Sequence, residues 1–132
     1  MLKDCEDGIA TLPAQDISRA RSFYEGTLGF TPVEDSPDGG VFYQAGSTRF
    51  LVFPSMGKAS GDHTQIGFSV NDIVAEVEAL KKNAVRFEEY DLPDFKTEGG
   101  IAKLGDERSA WFKDSEGNLI ALFEQAKVAA TP

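Results

Sequence analysis

A repeat constrains the fold of this chain more than any other feature, because one pattern of secondary structure occurs twice. Residues 14–17 (AQDI) are echoed by residues 70–73 (VNDI), and each copy follows a short apolar segment. The aspartates of the two copies, Asp16 and Asp72, are residues that helix N-caps favour. Repetition of a half-domain is a fold-level signal. The order strand, helix, strand, strand, strand in each half predicts an α+β protein built from two βαβββ modules.

The first half carries one amphipathic helix. After the Asp16 cap, apolar side chains recur at three- and four-residue spacing, at Ile17, Ala20, Phe23, Tyr24 and Leu28. Gly29 follows where a left-handed C-cap is expected. Strands are predicted at residues 9–14, 30–34, 41–45 and 48–54. Pro13 lacks an amide donor, which favours an edge position for the first strand.

The second half repeats this order and ends in a hairpin. A strand at residues 65–70 precedes a helix that begins at Ile73 and ends near Asn83, and further strands are predicted at residues 85–89 and 101–104 with a loop between them. Residues 114–118 (DSEGN) are turn formers between two strands. The last strand is apolar at every position from 119 to 123, which predicts that it is buried on both faces.

The length predicts a single domain, residues 1–132, with a sizeable core. Module 1 is assigned to residues 8–54 and module 2 to residues 63–125. The Gly- and Ser-rich residues 55–62 are assigned to a linker, and residues 126–132 to a C-terminal tail. Each module has one helix for four strands, so helices cover only one face of each sheet. The other faces must meet each other, a partner chain or a ligand.

Charge and composition exclude several classes of function. The chain has 22 carboxylates against 13 Lys and Arg, a net charge of −9, which opposes binding to nucleic acid or to anionic lipid. It contains no apolar run near the roughly 20 residues of a membrane span, and its N-terminus lacks a secretion signal. A single cysteine, Cys5, agrees with a reducing compartment. We therefore expect a cytoplasmic protein.

Three motifs resemble those of the vicinal oxygen chelate superfamily, which includes glyoxalase I, bleomycin-resistance proteins and extradiol dioxygenases. They are residues 16–30, with FYEGTLGF at 23–30, residues 70–73 (VNDI) and residues 112–118 (FKDSEGN). The resemblance spans residues 9–125. It implies that two βαβββ modules form a curved mixed sheet around a central cavity, and that the protein is a homodimer, as many members are.

Metal-dependent members hold a divalent cation with His or Gln on the first strand and Glu on the last strand of each module. Carried over by position, these ligands fall on Ile9, Leu51, Gln65 and Ala121. Three of the four side chains are aliphatic and offer no lone pair, and a single Gln amide is a weak ligand. We therefore expect neither a metal nor another cofactor.

Strand alternation assigns further side chains to the face that carries these four positions. With Trp111 as a wall and His63 at the mouth, the predicted ligand cavity comprises Ile9, Thr11, Arg49, Leu51, Phe53, His63, Gln65, Gly67, Trp111, Leu119, Ala121 and Phe123. An apolar chamber with a few polar points is typical of a small-molecule pocket. The aliphatic residues fit a core between the modules equally well.

Three polar residues of this set are informative. Arg49 and Gln65 favour a pocket, because buried polar groups need partners that a ligand would supply. His63 follows a Gly-Asp turn, which is typical of a surface residue. At the cavity mouth it would instead serve as a hydrogen-bond donor or general base.

Three functions remain open from the sequence. The replaced ligands favour a metal-free member that binds or sequesters a small, partly apolar molecule. The alternative is an enzyme with an altered centre, either a glyoxalase-like lyase or isomerase or a dioxygenase. A structural or regulatory dimer, whose cavity is simply core, is the third.

Overall fold

A computed structural model describes residues 1–125 of the chain, and the C-terminal tail predicted at 126–132 lies outside the described residues. A short 3₁₀ helix, Leu2–Asp4, precedes the first strand. The strands are β1 Ala10–Ala14, β2 Pro32–Asp35, β3 Val41–Ala45, β4 Thr48–Pro54, β5 Thr64–Ser69, β6 Asp91–Leu92, β7 Phe95–Glu98, β8 Ile101–Leu104, β9 Glu107–Lys113 and β10 Leu119–Glu124. The helices are α1 Ile17–Arg21, a π-helix Ser22–Thr27 that continues it, and α2 Ile73–Lys82.

The strands form a four-stranded and a six-stranded sheet, which share one strand order except that β6 and β7 extend the second sheet. Their orders are β1-β4-β3-β2 and β5-β10-β9-β8-β7-β6. In each sheet the first strand pairs in parallel with the last strand of its repeat, β1 with β4 and β5 with β10, while the remaining pairs are antiparallel. β1 is an edge strand of its sheet, as Pro13 predicted. The predicted fold class, a mixed α+β protein with two βαβββ repeats, is confirmed.

Both helices begin at the predicted caps. The carboxylate of Asp16 accepts a hydrogen bond from the Arg19 amide, and that of Asp72 accepts one from the Ala75 amide, so each satisfies a free donor of the first turn. The predicted first helix changes to π geometry at Ser22, where the wider turn still leaves Tyr24 fully buried.

A single core joins the two repeats. Helix residues such as Ala20 and Val77 pack with alternate residues of β1, β3, β4, β9 and β10 in one continuous cluster. In β10, residues 119–122 are all at most 8% exposed, as the uninterrupted apolar run predicted, while Phe123 is half-buried. Within residues 1–125, no helix is both long and apolar enough to cross a membrane.

The predicted strand at residues 85–89 is wrong. Val85 and Phe87 are buried and Arg86 is exposed, so the alternation is strand-like, yet the segment makes only one isolated bridge, Phe87 to Phe112. The reason is that β8 already occupies the edge of β9 from Glu107 to Ala110. The loop predicted at residues 90–100 instead contains the β6–β7 hairpin.

Candidate functional site

Strand alternation separates most of the predicted cavity residues from the core. In β1, β4, β9 and β10 the residues of the core cluster stand at even-numbered positions. Because successive side chains of a strand point to opposite faces, the odd-numbered positions face away from the helices. We call this surface the helix-free face. It comprises Thr11, Arg49, Leu51, Phe53, Trp111, Leu119, Ala121 and Phe123, together with Gly67, which pairs with Ala121.

The centre of the helix-free face is where the two sheets meet. Thr11 lies beside Leu51 in the first sheet, and Gly67 lies beside Ala121 in the second. Gln65 occupies an irregularity in the pairing of β5 with β10, and its side-chain amide donates a 3.1 Å hydrogen bond to the carbonyl of Thr11. Gln65 therefore joins β5 to β1.

The indole of Trp111 crosses β10. Trp111 on β9 pairs with Ala121, yet its Nε1 donates to the hydroxyl of Thr64, on the far side of β10, at 3.2 Å. The small side chain at position 121 leaves room for the ring to pass, and Ala121 is fully buried. Tyr90 and Phe95 pack edge-on against the same indole. The position that matches a family metal ligand thus lies beneath an aromatic cluster.

Arg49 and Gln65 have partners within the protein. The guanidinium of Arg49 lies 4.4 Å from the ring centroid of Phe42 and donates a 2.8 Å hydrogen bond to Glu34. The Nε of Arg49 is buried and has no partner among the described residues. The side-chain nitrogen of Gln65 is paired as well, so within residues 1–125 the Nε of Arg49 is the one buried donor of these two side chains that has no partner.

Ile9 and His63 lie outside the strands. Ile9 precedes β1 and is 46% exposed. His63 precedes β5, is exposed, and has its Nδ1 3.5 Å from the hydroxyl of Ser60. Both are therefore at the rim of the helix-free face or beyond it.

The donor set does not fit a divalent cation. Ile9, Leu51 and Ala121 carry no donor atoms, so the side-chain carbonyl oxygen of Gln65, whose nitrogen donates to Thr11, is the single metal-donor atom at the four positions. Within residues 1–125 there is no group of three or more His, Cys, Asp or Glu side chains arranged to hold a metal ion. The family's Lewis-acid chemistry therefore has one weak ligand, Gln65, at the four positions where the family places its ligands.

The β9–β10 turn is a buried polar cluster that the sequence did not reveal. One Asp114 oxygen accepts from the amides of Glu116 and Asn118, and the other accepts from the hydroxyl of Tyr24, at 2.7 Å, and from the Asn118 side chain. The Asn118 amide also donates to the carbonyl of Pro13. Burial and the adjacent carboxylate of Asp114 raise the pKa of the Tyr24 phenol well above its ordinary value.

Glu116 extends this contact to α1. Its carboxylate accepts two hydrogen bonds from the Arg19 guanidinium and one from the Asp16 amide. The Arg19 hydrogen bonds, followed by the Asp16 amide, hold the pKa of Glu116 down at about 2, although burial opposes this. The sequence signal was limited to turn propensity, because nothing local links residue 116 to residue 19.

A groove of about 790 Å³ lies on the opposite side of the sheets, bordered by α2, by β4 and β5, and by the segment that follows the π-helix. Its floor and walls include Phe50, Ile66, Phe68, Leu80 and Leu122. Of the twelve predicted cavity residues, Gly67 alone borders it. A second hollow, of about 650 Å³, lies beside the β6–β7 hairpin.

Comparison with known proteins agrees with this fold. The family model of the glyoxalase/bleomycin resistance protein/dioxygenase superfamily matches residues 8–122. No curated protein matches the chain in sequence. The chain therefore belongs to this superfamily, as its motifs suggested.

Three solved structures illustrate the likeness. A glyoxalase family protein from Bacillus anthracis is 17% identical, with a TM-score of 0.70 over 92% of this chain and 98% of that chain. The fosfomycin resistance protein FosX from Listeria monocytogenes is 15% identical, with a TM-score of 0.70 over 93% and 91%. The antibiotic binding protein TnmS3 from Streptomyces sp. CB03234 is 19% identical, with a TM-score of 0.62 over 91% and 97%. At these identities the likeness shows the shared fold alone.

Proposed function

We propose that this protein binds or sequesters a small, partly apolar molecule on its helix-free face without a divalent metal. The observation that carries the proposal is the chemistry at the four family ligand positions. Ile9, Leu51 and Ala121 have no donor atoms, and the single remaining candidate, the side-chain oxygen of Gln65, is a weak ligand by itself. Alkyl side chains at the positions of the chelating groups make this site apolar. An apolar site favours a ligand that has apolar surface to bury.

The composition of the helix-free face supports this proposal. Leu51, Phe53, Trp111 and Phe123 are each partly exposed, so apolar surface remains available to a ligand. Aromatic walls with a few polar points, here Thr11 and Arg49, are typical of small-molecule sites. Burial of a ligand against this surface would contribute roughly 25 cal/mol per Å² of apolar area.

The solved relatives support the same class of function. TnmS3 is an antibiotic binding protein and FosX a fosfomycin resistance protein. Because one fold hosts many functions, these names indicate only that the scaffold accommodates small molecules. The predicted homodimer and cytoplasmic location stay predictions, and light scattering on the purified protein would test the first.

The single tryptophan gives a direct binding assay. Trp111 is the only tryptophan of the chain and lies on the helix-free face. The neutral, apolar dye prodan absorbs where indole emits, so binding near Trp111 is expected to quench its emission in a saturable titration. Leu51→Glu, which places a charge on the half-buried centre of this face, is expected to weaken prodan binding by about tenfold.

A matched variant separates a local effect from a general one. Val74→Glu adds the same charge at an exposed position of α2 and is expected to leave prodan binding unchanged. An absence of quenching, or equal losses in the two variants, would contradict the proposal. Thermal melts of both variants establish that each one is folded.

Metal analysis distinguishes the binding protein from an enzyme. We expect protein purified from cells to hold well under one divalent metal per chain, and prodan binding to be insensitive to chelator. Turnover of a dicarbonyl adduct or a catechol that chelator abolishes would instead establish the lyase or dioxygenase alternative.

A further inference from the structure

We propose that the groove bordered by α2, β4 and β5 is a second binding site, which takes small apolar molecules bearing a protonated amine. The groove lies on the side of the sheets opposite Trp111 and the helix-free face, so this inference does not depend on the proposed function. Three observations carry it: the shape of the groove, the nature of its walls and the position of one carboxylate.

The groove has the size of a small-molecule site. Its volume of about 790 Å³ falls within the range of roughly 300–1,000 Å³ that ligand pockets occupy. Its helical wall, α2, is fixed to the first repeat, because the Asn83 side chain at the end of α2 donates a 3.1 Å hydrogen bond to the carbonyl of Thr27, the last residue of the π-helix. The groove is therefore a defined part of the fold.

The walls present a concentration of half-buried apolar side chains. Phe30, Ile66, Phe68 and Leu80 line the groove, pack against the core and keep part of their surface exposed. The ring of Phe68 lies 5.3 Å from that of Phe30 and 5.4 Å from that of Phe50, centroid to centroid. Such aromatic surface favours a flat apolar group.

One charged residue, the exposed Glu76, borders this apolar surface. Among the described residues that line the groove, Glu76 is the single charged side chain. It lies one helical turn before Leu80, and within residues 1–125 its carboxylate has no hydrogen-bond or ion-pair partner. A cation on the ligand would complement both this carboxylate and the net charge of −9.

Three probes that differ in one group test the site. The probes are 4-phenylbutylamine, 4-phenylbutanol and 4-phenylbutanoate, and their binding is followed by the NMR shifts of the Ile66, Phe68 and Leu80 amides. We expect the amine to bind about two- to fivefold more tightly than the alcohol, the range of an exposed ion pair, and the carboxylate to bind most weakly. Thr48→Phe, at an exposed residue of the groove, is expected to weaken binding of all three.

Two variants of α2 decide whether Glu76 is responsible. Glu76→Gln is expected to lower the affinity for 4-phenylbutylamine to the affinity for 4-phenylbutanol. Glu78→Gln removes the same charge from the same helix outside the groove and is expected to keep the preference for the amine. Equal affinities of amine and carboxylate, or an equal loss of preference in both variants, would overturn the proposal.

The indole of Trp111 distinguishes the two sites. Shifts in the groove amides without a change in the Trp111 indole signal support the groove as a separate site. Shifts confined to Trp111 would assign the probes to the helix-free face and overturn the groove proposal, leaving the proposed function intact.

Discussion

Two small residues at the centre of the helix-free face determine how its aromatic side chains lie. Gly67 and Ala121 are paired across β5 and β10. Ala121 accommodates the crossing indole of Trp111, and Gly67 lies against the ring of Phe123. Each small residue thus lies beside a large aromatic one. Such pairs of small and large side chains allow close packing without voids.

Replacement of Gly67 tests this matching. A Cβ at position 67 would collide with the ring of Phe123, so we expect Gly67→Ala to lower the free energy of unfolding by about 1–3 kcal/mol, the range of overpacked sites. Urea denaturation measures the change. Gly26→Ala is the control, because a Cβ at Gly26 meets no atom within 4 Å.

A double mutant establishes the cause. In a Phe123→Ala background the ring is gone, and Gly67→Ala is expected to cost little, since Ala is better suited to a strand than Gly. If Gly67→Ala costs as much in this background as in the wild type, the ring of Phe123 is not the reason.

At the scale of secondary-structure elements, the β9–β10 turn serves as a connector between the repeats. Asp114 binds Tyr24 of the π-helix, Glu116 binds Arg19 of α1, and Asn118 binds the carbonyl of Pro13 in β1. A turn in the second repeat therefore satisfies polar groups at the strand-to-helix junction of the first. Leaving such buried groups unpaired would cost about 1–3 kcal/mol each.

The Glu116–Arg19 contact makes stability depend on pH. The folded-state pKa of Glu116, about 2, lies below its ordinary value of 4.5, so its contribution is present above about pH 4.5 and is lost as the pH falls toward 2. We expect Glu116→Gln to lower the free energy of unfolding by about 1–3 kcal/mol at pH 7. The difference between variant and wild type is expected to shrink toward zero near pH 2.

Denaturant titrations of the variant and the wild type from pH 7 to pH 2 measure this difference. The contributions of the other carboxylates to stability are the same in both proteins and cancel. Glu34→Gln removes an exposed carboxylate that pairs with Arg49, and we expect a change within about 1 kcal/mol. A Glu116→Gln deficit that stays constant down to pH 2 would show that the carboxylate contributes through packing and not through its charge.

The sequence predicted the elements whose signals are local. Residue types and spacing within a few residues predicted the helix caps at Asp16 and Asp72, the edge position of β1 and the two faces of β4 and β10. The failed strand at 85–89 depended on which neighbour occupies the edge of β9, and the path of the Trp111 indole depended on a hydroxyl 47 residues away. Such long-range contacts leave no local pattern in a single sequence.

At the scale of the whole molecule, the two repeats share one core, and we expect neither to be stable alone. Residues of both repeats belong to the same buried cluster, and Phe30 and Phe50 of the first pack on Phe68 of the second. Gln65 and the β9–β10 turn add polar contacts between them. A domain of this size with a continuous core is expected to unfold in one cooperative transition.

A substitution in one repeat, read by a probe in the other, tests this cooperativity. Val52 is buried in the first repeat, and Val52→Ala is expected to cost about 1–3 kcal/mol through the cavity that it leaves. Trp111 reports unfolding of the second repeat, so its fluorescence midpoint in urea should shift by the full amount. Val33→Ala, at an exposed strand position, is expected to shift it little. A Trp111 midpoint that stays fixed while amide exchange at Val41 accelerates would show that the repeats unfold independently.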